Sequence, residues 1–146
     1  MSTAVYTLQC FMDVSGRRIL EARKLLDIPK KWCDGAVTYA LLATECALKA
    51  ALLAGYQAKD ITEVSPALHK VAFKSKTGHD LALLWSRQAP MIQKLASSDV
   101  RDAIDILHRL DRYHHRYGAK RPTRVHAEPA VVAAELVVGW MKKVVL

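Results

Sequence analysis

A chain of 146 residues, 51% hydrophobic and 25% charged, is long enough to bury a core without disulfides or a metal, and its composition is wrong for a disordered segment. Lys and Arg number 22 against 14 Asp and Glu, giving a net charge of +8 and a pI of about 9.6, a balance that favours polyanions as partners. No apolar run approaches the ~20 residues that span a bilayer, the N-terminus has no secretion-signal pattern, and Cys10, Cys33 and Cys46 are odd in number without metal-ligand spacing, so a cytoplasmic protein with reduced thiols is expected.

Taken in chain order, Ser15 is placed to cap a first helix running to about Asp27, with Ile19, Ala22, Leu25 and Leu26 at helical spacing and Pro29 as its stop. A second helix is predicted from about Trp32 to Ala54. Its apolar positions include Ala36, Ala40, Ala43, Ala47, Leu48, Ala51 and Leu52, and the alanines suit close approach of a partner helix. Gly55 stands where a left-handed C-terminal residue is wanted. Ser65-Pro66 reads as an N-cap and N1 proline opening a short helix to about Lys74.

Thr77-Gly78-His79-Asp80 then forms a capping pattern ahead of Leu81, Leu83, Leu84 and Trp85. Pro90 should kink or restart that helix. Ser98 or Asp99 is expected to cap a long segment from Val100 to Tyr117, with Ala103, Ile104, Leu107 and Leu110 on its apolar face. Gly118 to Val125 reads as a loop, and Glu128-Pro129 as the start of a final helix; the β-branched content of that last segment makes a strand the competing assignment. Neither a repeat nor a composition break divides the chain. The expectation is one domain over 1–146, an all-α antiparallel bundle of about five helices with short connections.

Chemistry concentrates near the end of the long helix. Between Arg109 and Arg124 stand six basic residues (Arg109, Arg112, Arg116, Lys120, Arg121 and Arg124) against one acid, Asp111, with His114 and His115 among them. Histidine exchanges a proton near neutral pH, and arginine holds phosphate bidentately. Arg109, His114 and His115 are therefore the candidate catalytic group, and Arg112, Arg116, Lys120, Arg121 and Arg124 the candidate phosphate contacts. Arg121 and His126 repeat the arginine–histidine spacing within the predicted loop. His108, Asp111 and His115 share a helical face, but no metal or cofactor is expected. The chain has no Gly-rich phosphate loop, nucleophile elbow or dinucleotide fingerprint.

Two segments carry a family resemblance. Glu45-Cys-Ala-Leu48-Lys49-Ala-Ala-Leu52-Leu53-Ala-Gly55, followed by Thr77-Gly78-His79-Asp80-Leu81, resembles the HEPN (higher eukaryotes and prokaryotes nucleotide-binding) family. There an Ala-Leu-Lys-Ala-Leu-Leu type helix precedes a His-Asp-Leu helix start, and an Arg-x(4–6)-His motif follows. Four residues separate Arg109 from His114 here, and five separate it from His115.

The resemblance implies a homodimeric helical bundle whose paired motifs face one cleft, and metal-independent endoribonuclease activity in a defence or toxin–antitoxin setting, with an antitoxin partner. It implies an alternative as well. Leu110 follows Arg109 where cleaving members usually carry a polar residue, and Arg116-Tyr117-Gly118 is similar to an Arg-Tyr-Pro signature of members that accompany nucleotidyltransferases. Such members bind a nucleotide, an RNA or the nucleotidyltransferase without cutting. Neither version implies a membrane.

Overall fold

A computed structural model describes residues 6–28, 32–74, 76–111 and 123–145, the side chains of 76, 77 and 111 excepted. Within them the fold is all-α. Seven α-helices occur: α1 (Leu8–Asp27), α2 (Cys33–Gly55), α3 (Pro66–His69), α4 (Leu81–Ser86), α5 (Pro90–Lys94), α6 (Ser98–Asp111) and α7 (Arg124–Val145). A π-helical turn (Lys70–Lys74) and a 3-10 turn (Lys76–His79) join α3 to α4. The short helices α3 and α5 open at Pro66 and Pro90, as the prolines predict. Sheet-like pairing among the described residues is an isolated bridge between Thr7 and Asp60.

Helix α1 begins a full two turns before Ser15. Thr7 is its N-cap, its hydroxyl oxygen accepting from the Cys10 amide at 3.1 Å. Phe11, Ser15, Ile19, Ala22 and Leu26 form one buried stripe, and burying Phe11 extends the helix through a Ser-Gly pair that reads locally as a start. Ser15 sits inside the bundle, where its hydroxyl donates to the Ala43 carbonyl oxygen at 2.8 Å. It is an interhelical tie, not a cap.

Helix α2 is the core element. Ala36, Ala40, Ala43, Ala47, Ala50 and Ala51 are all fully buried, as are Leu48, Leu52 and Leu53. Small side chains let α1 and α7 pack closely against it. Among the described residues it is the one helix long and apolar enough to cross a membrane, and 78% of that apolar window is buried inside the bundle.

Its C-terminus departs from expectation in one detail. The left-handed residue is Gln57, at φ 56°, while Gly55 is still helical. Ala58 N–H donates to the Leu53 carbonyl at 2.8 Å and Gln57 N–H to that of Ala54 at 3.1 Å, the paired bonds of a Schellman motif. Gly55 is needed for space: a β-carbon there would lie 2.7 Å from Ile92 Cγ1 and 3.0 Å from Ala89 Cβ. Gly78 has a similar role, since a β-carbon would stand 2.5 Å from the Ala72 carbonyl oxygen.

Capping explains the remaining boundaries. Ser65 Oγ accepts from Leu68 N–H at 3.3 Å, and Asp80 Oδ1 accepts from Leu83 N–H at 3.2 Å. At α6 the capping oxygen belongs to Ser97, which accepts from Val100 N–H at 3.4 Å, one residue before the expected Ser98 or Asp99. Helix α7 starts at Arg124, four residues before Glu128, so Arg124 and Val125 are helical and not loop. The Thr123 carbonyl accepts from His126 and Ala127 N–H. Pro129 lies inside this helix and costs one backbone bond, a loss offset where Ala127, Ala130 and Val131 are fully buried.

Pair contacts fix the directions. Ser15 meets Ala43 and Leu25 meets Gly35, so α1 and α2 are antiparallel. Arg124 reaches Leu26 and Glu135 reaches Arg23, so α7 is antiparallel to α1 and runs the same way as α2. Arg101 donates to the Gln93 carbonyl, near the Ile92–Gly55 contact, whereas His108 stands beside Asp80, next to the His79–Glu45 pair. Helix α6 therefore runs back along α2 towards its N-terminus. The C-terminus of α1 and the N-termini of α2 and α7 share one end of the bundle, whereas the last turns of α6 stand level with Glu45, near the middle of α2.

Candidate functional site

Of the candidate residues within the described stretches, Arg109 lies in the last turn of α6 and Arg124 in the first turn of α7. Helix α6 is strongly amphipathic: Ala103, Ile104 and Leu107 are buried, and Leu110 packs half-buried against the core. Arg109 therefore faces outward. Its side chain is 77% exposed, and the guanidinium pairs with Asp105 one turn earlier, at 2.7 Å. Such an exposed pair is weak, about 0.3–0.5 kcal/mol, so a phosphate can compete with Asp105 for Arg109.

Arg124 is placed differently from a loop cation. At the first turn of α7 its Nη1 donates to the Leu26 carbonyl at 2.9 Å, closing the C-terminus of α1, and its Nε lies 3.7 Å from Glu128. The guanidinium is a helix cap, with 56% of the side chain still exposed. His126 is exposed nearby, with Nδ1 3.2 Å from Thr123 Oγ1. Arg112, His114, His115, Arg116, Lys120 and Arg121 lie outside the described residues, in the stretch that joins α6 to α7.

Tertiary structure also assembles a polar cluster that sequence spacing did not reveal. Glu45 Oε1 stands 2.8 Å from His79 Nδ1, and Glu45 Oε2 accepts from Lys49 Nζ at 3.1 Å. The Glu45 and Lys49 side chains are only 13% and 10% exposed, and the ammonium lies 6.0 Å from the ring centroids of both Phe11 and Phe73. A buried lysine so surrounded has its charge balanced by one carboxylate and two aromatic faces. His79 is the exposed member, and through it the 3-10 turn is fastened to α2. The residues come from 34 positions apart, Glu45 to His79, and nothing in either segment alone predicts the meeting. Cys46, beside them, has its thiol pushed up to about 11, by burial first and then by the Glu45 carboxylate.

His108 Nδ1 is buried without a hydrogen-bond partner, 3.7 Å from Asp80 Oδ1. Among the described residues no group of three or more His, Cys, Asp or Glu is arranged to hold a metal ion. An open cleft of about 790 Å³ lies at the other end of the bundle, between Tyr56, Leu68 and Val71 on one side and Arg87, Gln88 and Gln93 on the other. Gln88 there donates to the Leu48 and Leu84 carbonyls and braces α4 against α2.

Comparison with protein families, with curated proteins and with solved structures finds no match to this chain.

Proposed function

We propose that this protein acts on RNA as a HEPN-type, metal-independent endoribonuclease that works as a homodimer in a defence or toxin–antitoxin setting. The observation that carries this is Arg109: an exposed guanidinium at the end of α6, heading the six-cation segment that contains His114 and His115. The HEPN resemblance of residues 45–55 and 77–81 supports it.

In this mechanism His114 removes the proton from an RNA 2′-hydroxyl, and the oxygen attacks the adjacent phosphorus. Arg109 stabilises the additional negative charge of the phosphorane-like transition state. The P–O5′ bond breaks, and the leaving oxygen takes up a proton from an acid, a role His115 can serve. Products are a 2′,3′-cyclic phosphate and a 5′-hydroxyl end. DNA lacks the 2′-hydroxyl and is not cut. Arg112, Arg116, Lys120, Arg121 and Arg124 supply phosphate contacts. Purified protein incubated with RNA in EDTA should generate cyclic-phosphate ends, and H114A and R109A should abolish them. Cleavage that requires added metal, or that survives H114A, refutes the assignment.

A second reading is favoured by Leu110, which packs half-buried against the core directly after Arg109. In that case the protein binds RNA, a nucleotide or a nucleotidyltransferase partner and cuts nothing. It predicts intact RNA in every buffer, with binding that weakens steeply as salt rises.

A further inference from the structure

Helix α7 carries two apolar faces, where a helix on the surface of a bundle needs one. Its inner face, from Ala127 through Ala134 to Met141, is buried. Its outer face repeats Val125, Pro129, Val132, Leu136 and Gly139 at alternating intervals of four and three residues, and ends on Lys143. Val125 is 79% exposed, Val132 46% and Leu136 45%. Such an interval is the 3.5-residue repeat by which one helix seats along another.

Gly139 makes the same point from the backbone. Glycine inside a helix weakens it relative to alanine. Gly55 has a reason to be glycine, the crowding by Ile92, but a β-carbon at Gly139 would meet nothing within 4 Å of its own chain. Beside this face an open groove of about 800 Å³ runs between α1 and α7, lined by Met12, Arg17, Leu20 and Lys142.

We infer that the outer face of α7 seats the same face of a second copy, the two helices antiparallel about a two-fold axis between Val132 and Leu136. The charges choose this occupant. Glu128, Glu135 and Lys142 flank the seam on one side, one heptad apart. In an antiparallel, isologous contact that flank meets itself, so Glu128 pairs with the partner's Lys142 and Lys142 with the partner's Glu128. Glu135 falls on the axis opposite its own copy, and Arg23 of the same chain already neutralises it. Along the seam Val132 packs on the partner's Leu136. Pro129 packs on the partner's Gly139, whose missing side chain leaves room for the ring. A parallel pairing would instead set Glu128 beside the partner's Ala133 and form no ion pair.

The contact puts the two Arg124 residues about 30 Å apart along the axis, at 1.5 Å per residue. It is therefore separate from the single cleft that the HEPN resemblance implies, and it does not rest on the RNA-acting reading.

Sedimentation equilibrium of the full chain, from about 1 µM to about 300 µM, tests it. The wild type should dimerise. L136R places two guanidinium groups in the seam and should leave a monomer with an unchanged far-UV spectrum, since the residue is half exposed in the single chain. E128K and K142E each oppose like charges at two places and should weaken association about 10-fold. The E128K/K142E double variant restores both pairs with their signs exchanged and should recover the wild-type constant. A dimer that persists in L136R, or a double variant no tighter than either single one, overturns this seating and leaves any homodimer to another face. A wild type that stays monomeric throughout overturns the seating together with the homodimeric part of the RNA-acting reading, while RNA cleavage in EDTA, read on the same samples, judges the chemistry separately.

Discussion

Replacing Glu45 by alanine removes the carboxylate that, among the described residues, pairs with the buried Lys49 ammonium. The magnitude follows from where the pair sits. At 13% and 10% exposure, solvent screening is slight, and removing one partner of a buried pair costs about 3–5 kcal/mol because the other charge is left uncompensated. Two features reduce this: the Phe11 and Phe73 faces continue to hold the cation at 6.0 Å, at about 1 kcal/mol each, and the residual exposure admits some water. An expected loss of about 2–3 kcal/mol remains. With a urea m-value of about 2 kcal/mol per molar, the unfolding midpoint followed by far-UV circular dichroism should fall by roughly 1–1.5 M.

The E45L/K49M double variant removes both charges and keeps apolar volume, so it should recover most or all of that loss. H79A, which strips only the exposed member (73% exposed), should shift the midpoint little. A loss in E45A below about 0.5 kcal/mol, or a double variant no better than E45A, would show that Lys49 is not held by Glu45 and refute the cluster as a buried electrostatic latch.

Two helical glycines should respond with opposite signs. G55A forces a β-carbon to 2.7 Å from Ile92 Cγ1 and should destabilise by about 1–2 kcal/mol after the gain in helix propensity, whereas G139A meets nothing within 4 Å and should stabilise by about 0.5–1 kcal/mol; thermal melts that move the same way for both would contradict the close approach of α5 to α2. Cys46 supplies a pH prediction. Its folded thiol is pushed up to about 11 while an unfolded thiol ionises near 8.5, so the native state holds the proton more tightly and stability falls as pH rises from about 9 through 11. C46A should flatten that alkaline decline, and in native protein the exposed Cys10 should react with thiol reagents well before Cys46 does.

Much of the bundle was legible because helices announce themselves locally. Apolar spacing located α2 within a residue or so, and proline with a capping hydroxyl marked α3 at Ser65-Pro66, since those signals act within one turn. Where local and distant terms compete, the distant term won. Ser15 looks like a cap until Phe11 is seen to be buried, and Gly55 looks like a left-handed residue until Ile92 is found against it. Pro129 looks like a start, yet α7 begins five residues earlier because Ala127 and Ala130 are buried.

For the candidate site the division is sharper. The sequence by itself determined the charge excess, the Arg109–His115 cluster and the all-helical character, since each is a matter of residue type and short-range order. That His79 meets Glu45 and Lys49, that Arg124 caps α1, and that Ser15 ties α1 to α2 came from the packing of the helices. Those relations depend on which helix faces meet, and helix directions are set by the packing of whole faces, a quantity that no local window of sequence contains.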